Sequence, residues 1–184
     1  MFMHARQVGF TLIELLVVMV LLGLVMGVAV TSVGGNQARE LEIETNRLHA
    51  LLRTAANESV FTNTEIGMQI AEDGYAFITY NEADGRWQEA QSAVLKTQEL
   101  PEWMYLEFER EGELIELPSK KEQQDREFGE QTNALAPDFM FLSSGEVTDF
   151  TLTLGIRDDA EIFRQITLND YGEIILPHIE DEGV

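Results

Sequence analysis

Gly9-Phe10-Thr11-Leu12-Ile13-Glu14-Leu15, continued by an apolar run to Val30, is the stretch that decides how the chain is built. A short leader carrying His4 and Arg6 ends at Gly9, and one carboxylate, Glu14, stands five residues further on. From Phe10 to Val33 a helix would extend about 36 Å at roughly 1.5 Å per residue. That is enough to cross a hydrocarbon core of about 30 Å. An ionised side chain inside such a span costs about 2.5–3.5 kcal/mol on insertion scales. A chain keeps that cost when the carboxylate has a partner. A cleaved secretory signal peptide, with Gly27-Val28-Ala29 as a small-x-small site, would need a charge inside its apolar region and no polar segment before the cut. A plain signal anchor leaves Glu14 without a use.

Composition bounds the rest of the chain. Its 184 residues hold 33 acidic and 12 basic side chains, a formal net charge of −21, and no cysteine. Glu14 is the only acidic residue before Glu40, so the acidity belongs to the part beyond the span. His4 and Arg6 on the short side favour an N-terminus in the cytoplasm and a C-terminus outside. Roughly 150 residues follow the span, enough for one domain with its own core. No internal repeat is evident. Duplex DNA is a poor partner, because its affinity comes mainly from lysine and arginine set against phosphates. Only Lys120, Lys121 and Arg126 cluster, and acids interrupt them.

Four regions follow from the pattern: a leader over 1–9, a transmembrane half-helix over 10–33, an amphipathic half-helix over 34–62, and a β-rich domain over 63–184. Gly34-Gly35-Asn36 marks the water boundary and is a place for the helix to bend, since glycine costs roughly 1 kcal/mol against alanine. Leu41, Leu48, Leu51, Leu52 and Ala55 then fall on one helical face. Beyond Asn63 the period changes to two. Strands are expected over 64–70 and 75–80, joined by Glu72-Asp73-Gly74. A short strand at Trp87 follows the Asp84-Gly85 turn. Met104, Leu106 and Phe108 alternate with Tyr105, Glu107 and Glu109, and Glu111-Gly112 turns that strand back into 114–117. Residues 118–137 read as a charged surface loop. Further strands are expected over 139–142, 150–156, 162–168 and 173–176. One long helix and about nine short antiparallel strands make an α+β fold, with two small sheets against the helix.

The opening heptapeptide resembles the class III signal of type IV pilins and type II secretion pseudopilins. That resemblance implies cleavage by a prepilin peptidase between Gly9 and Phe10, N-methylation of Phe10, and a role for Glu14 as the carboxylate that sets axial register during assembly. Further along, Arg47-Leu48 with Leu51-Leu52-Arg53, Gly74-Tyr75 with Phe77, and Asp84-Gly85-Arg86-Trp87 are similar to the H-type minor pseudopilins of type II secretion. So are Ser144-Gly145-Glu146 and Tyr171-Gly172-Glu173-Ile174. These later matches are turn-like and less specific than the first thirty residues.

The resemblance implies a structural subunit held in the inner membrane by a single pass, with its C-terminal domain in the periplasm. It also implies a place beneath the tip of a short pseudopilus that exports folded proteins, because the terminal subunit of such assemblies lacks the glutamate. Implied partners are the other minor pseudopilins, the major pseudopilin, the prepilin peptidase and the inner-membrane assembly platform. The alternative function is a minor pilin that initiates a type IV pilus. The Phe10 amine and Glu14 lie one helical turn apart, so their pairing within one chain and between neighbouring subunits both stay open.

Neither a catalytic group, a metal ion nor a cofactor is expected. Asp158-Asp159-Glu161, with Asp170 and Glu173, offers oxygen ligands for Ca²⁺ but not the EF-hand spacing. His49 and His178 have no second histidine or cysteine at metal-binding spacing. Ser143-Ser144-Gly145 lacks the surroundings of a nucleophile elbow.

Overall fold

A computed structural model describes residues 12–118 and 136–177, with 24–35 described by backbone alone. Most of the charged loop expected over 118–137 therefore lies outside the described residues, as do Gly9, Phe10 and His178. Contacts divide the chain into two units, Met1–Arg39 and Glu40–Val184. The second half of the helix thus belongs with the strands.

Helix α1 covers Leu12–Thr62 and is assigned without a break at Gly34-Gly35-Asn36. In the second unit its buried stripe is Leu41, Thr45, Leu48, Leu52, Ala55 and Ser59, with Leu51 at its edge. Hydrophobicity alone misses Thr45 and Ser59, yet both are nearly inaccessible to solvent. Their hydroxyls are satisfied locally. Thr45 donates to the Leu41 carbonyl at 2.7 Å, and Ser59 donates to Ala56 at 2.9 Å and to Leu142 at 3.3 Å. This back-bonding to the preceding turn is how such side chains are buried inside a helix without an orphaned hydroxyl. The helix ends where Asn63 adopts φ 51°. Asn63 N–H donates to Val60 and Thr64 N–H donates to Ser59, the paired bonds of a Schellman cap.

The first sheet has the order β3-β2-β1-β7, from β1 (Ile66–Ala71), β2 (Gly74–Asn81), β3 (Arg86–Glu89) and β7 (Phe139–Phe141); β4 (Gln98–Glu99) also pairs with β2. The β1–β2 turn is tighter than its sequence suggests. Gly74 pairs with Ala71 inside the ladder, which leaves only Glu72-Asp73 as the loop. Close approach is the reason for glycine here, since a Cβ at Gly74 would collide with the Gln98 carbonyl of β4. Strand β4 was not expected, because two polar residues carry no alternation to read. Gly74→Ala is expected to displace β4 and lower stability by about 1–3 kcal/mol, the usual cost of overpacking. Thermal unfolding of the purified chain checks this, and an unchanged midpoint would contradict it. Trp87, on the edge strand β3, is only half-buried and packs its ring against Tyr80 at 5.4 Å.

The second sheet has the order β10-β9-β8-β5-β6, from β5 (Met104–Arg110), β6 (Glu113–Ile115), β8 (Thr151–Ile156), β9 (Asp159–Leu168) and β10 (Ile174–Ile175). Met104, Leu106 and Phe108 point into the core, as their alternation predicts. Glu111 and Gly112 both have positive φ, 53° and 79°, which suits the twist of a two-residue hairpin. The two sheets share one core with the helix. Phe139 of β7 stacks on Phe150 at 4.3 Å and on Phe108 at 5.9 Å, so an edge strand of one sheet is packed against residues of the other. Arg157 adds a polar tie. Its guanidinium donates to the carbonyls of Glu102, Met104 and, across at the β1–β2 turn, Glu72.

Candidate functional site

Two regions hold the described residues that bear on the expected site: the N-terminal stretch of α1, with Glu14, and the surface by which its second half meets the sheets. Glu14 lies in the first turn of α1 and is exposed. Around it, Leu12 to Gly23 form an unbroken exposed run in which Glu14 is the only charged residue, and Leu12 alone exposes 87% of its surface. Soluble proteins rarely expose continuous apolar surface of this kind. Twelve residues reach about 18 Å as a helix at roughly 1.5 Å each. Among the described residues, accordingly, no helix is long and apolar enough to cross a membrane. The expected span over 10–33 lies partly outside the residues whose side chains are described. Gly9 and Phe10 lie outside them altogether, so the structure gives no distance from the Phe10 amine to Glu14.

In the second unit, polar clips seat the helix on both sheets. Glu44 accepts a hydrogen bond from the buried Tyr75 hydroxyl of β2 at 3.1 Å. Arg47 lies 3.4 Å from Glu44 and also donates to the Gln98 side chain on β4. On the other side, His49 Nε2 lies 3.0 Å from the Ile174 carbonyl of β10. A carbonyl only accepts, so that nitrogen carries a proton. His49 is therefore accounted for as a structural donor. Sequence reasoning missed the pairings to Tyr75, Gln98 and Ile174 because each joins residues far apart in the chain.

Burial pushes the pKa of Tyr75 above its ordinary value of 10.0, and the negative charge of Glu44 adds to the rise. The folded protein thus holds this proton to higher pH than the unfolded chain does. Its contribution to stability is complete below about pH 10 and is lost as pH rises further. Tyr75→Phe should cost about 1.5–3 kcal/mol at neutral pH, as expected for a hydrogen bond to a charged acceptor. It should also flatten the loss of stability above pH 10. Melting curves of both proteins in detergent from pH 8 to roughly 11 check this; parallel losses would contradict it.

Of the acidic turn residues, Asp159 and Glu173 hold their turns through their carboxylates. Asn169 Oδ1 accepts the N–H groups of Tyr171 and Glu173 at 3.0 and 2.9 Å, its Nδ2 donates to Glu173 at 2.9 Å, and Asp159 Oδ1 accepts the N–H of Glu161. Among the described residues no three histidine, cysteine, aspartate or glutamate side chains gather as metal ligands would. Ser143 and Ser144 lie beside the Gly145 turn, where φ is 91°.

Comparison with known proteins gives these features a context. Residues 5–30 match the model of the prokaryotic N-terminal methylation motif, and residues 44–172 match that of the type II transport protein GspH. The chain is similar to type II secretion system protein H of Pseudomonas aeruginosa, with 36% identity over 94% of this chain and 95% of that one. It is 33% identical to the protein of the same name from Aeromonas hydrophila, over 96% and 97% of the two chains. A crystal structure of the minor pseudopilin EpsH from Vibrio cholerae superposes with a TM-score of 0.62 at 24% identity, covering 76% of this chain and 96% of that one. The solution structure of Escherichia coli GspH gives a TM-score of 0.51 at 14% identity, covering 78% and 88%. At these identities the structural matches speak for the fold alone, an N-terminal helix on antiparallel sheets. The family model, by contrast, runs from the seated half of the helix to the last hairpin, and two relatives align almost end to end. The chain belongs to the GspH family of type II secretion.

Proposed function

We propose that this chain is the H-type minor pseudopilin of a type II secretion pseudopilus: a structural subunit, with no catalytic step of its own, that supports export of folded proteins across the outer membrane. The observation that carries this reading is that one chain joins the N-terminal methylation motif to the GspH domain. In it, residues 1–9 are a leader, 10–33 the transmembrane half of the helix, 34–62 its amphipathic half and 63–184 the periplasmic domain. A prepilin peptidase removes the leader at Gly9, and Phe10 becomes a methylated N-terminus. The chain sits in the inner membrane with its domain outside, next to other minor pseudopilins, the major pseudopilin and the assembly platform.

Glu14 is the chemical handle for assembly. A lone carboxylate in a low-dielectric core is costly, and an ammonium from a neighbouring Phe10 offsets that cost. Such a pair selects axial register more than it adds stability. The test is complementation. In a strain lacking this chain, the full-length protein should restore export of a folded exoprotein. Recovery of pilus-driven motility without recovery of export would contradict this reading and favour a type IV minor pilin.

A further inference from the structure

We propose that the outer face of the second sheet holds a subsite for a neutral β-linked glycan, with the ring of Tyr105 as its platform. The inference adds a ligand to the function proposed above and does not depend on it. Met104, Leu106 and Phe108 of β5 turn into the core, so Tyr105, Glu107 and Glu109 face outward. Strand register carries this face across the sheet. Tyr105 pairs with Gly155 and Gly155 with Phe163; Glu107 pairs with Thr153 and Thr153 with Gln165; Glu109 pairs with Thr151 and Thr151 with Thr167. Tyr105 lays its ring over Gly155, where a Cβ would collide with Cε1, Cζ and Oη of the tyrosine. One face of the ring therefore rests on backbone and the other is turned outward, and the residue is half-buried. Phe163, also half-buried, stands two strands away in the same row.

A pyranose ring has an apolar C–H face and a rim of hydroxyls. It is held by a flat aromatic surface bordered by polar groups that donate and accept. The rows beside Tyr105 supply such a border. Gln165 donates to Thr153 at 3.2 Å, which leaves the Gln165 side-chain oxygen as an acceptor, and the hydroxyls of Thr151 and Thr167 share a hydrogen bond at 3.0 Å. Glu107 adds a carboxylate beside the platform; burial, and then the charge of Glu107, raise the pKa of the Tyr105 hydroxyl. Two strand spacings place the Tyr105 and Phe163 positions about 9.6 Å apart. That is close to the length of one disaccharide in an extended β-1,4-linked chain lying across the strands.

Charge selects a neutral ligand. A planar cation stacked on Tyr105 would be served by carboxylates around the ring, but in this ladder they stand only on β5, at Glu107 and Glu109. Toward β8 and β9 the paired positions hold Thr153, Gln165 and Phe163, none of them charged. An anionic glycan is turned away by a chain of net charge −21. A second copy fits poorly for the same reason, since face on face brings two strongly acidic domains together. The platform touches one side of a sugar only, so little surface is buried and binding is weak.

The full-length protein, isotopically labelled and held in phosphocholine micelles so that no sugar detergent competes, is titrated with the neutral tetramer of N-acetylglucosamine and followed by its amide resonances. Shifts confined to the neighbourhood of Tyr105, Gly155 and Phe163 are expected, with a dissociation constant in the millimolar range. The dimer should bind several-fold more weakly. Maltotetraose, whose α-linked chain curls away from a flat face, should leave these amides unmoved. Tyr105→Leu keeps an apolar cover on Gly155 and should weaken binding about tenfold, the scale of losing a central aromatic anchor. Tyr105→Phe keeps the ring and should stay within about twofold of the parent. Phe163→Leu should remove the advantage of the tetramer over the dimer. No shift at these residues, an equal response to maltotetraose, or undiminished binding by a folded Tyr105→Leu variant would each overturn the proposal. So would the same shifts produced by arginine alone, or by raising the protein concentration without glycan.

Discussion

Gly9→Val is expected to leave the chain entirely as full-length precursor in the inner membrane. A peptidase that cuts between residues 9 and 10 must bring that backbone close to its own catalytic groups, and a branched side chain at the cut obstructs the approach. The expected effect is all or none. Without cleavage there is no free Phe10 amine, and export of a reporter exoprotein should fall to the level of the deletion strain. Immunoblotting of membrane fractions resolves precursor from product. A normal amount of mature chain in the variant would contradict the assignment of Gly9.

Glu14→Leu should separate membrane insertion from assembly. The substitution removes a burial cost of about 2.5–3.5 kcal/mol, so the monomer should enter the membrane at least as well as the parent chain. Export should nonetheless fall by more than about tenfold, because a buried ammonium left without its carboxylate is strongly destabilising. The informative readout is export normalised to the membrane level of the variant. Unchanged export at unchanged level would leave Glu14 with a purely local role.

How much of this was legible in the sequence differs by element. The long helix and the period-two strands were readable because each depends on local alternation: Met104, Leu106 and Phe108 point inward as their spacing requires. The helical stripe was read correctly at its aliphatic positions and missed at Thr45 and Ser59, whose burial depends on carbonyls one turn back that composition does not reveal. Gly74 reads as a turn residue in the sequence, whereas its place in the fold lets β4 pass, a contact with residues 98 and 99 that no local rule anticipates. The clips from Glu44 to Tyr75 and from His49 to Ile174 are equally non-local. The processing motif, by contrast, is entirely local, a glycine, an aromatic and a glutamate at fixed spacing before an apolar run.

On the function proposed above, this chain is a processed pilin-like subunit rather than a simple membrane anchor or a secreted domain. The most direct measurement is the mass and sequence of the mature N-terminus of the chain purified from membranes. A single species that begins at Phe10 and carries one N-methyl group is expected. A chain retaining Met1, or one beginning after Ala29, would contradict it.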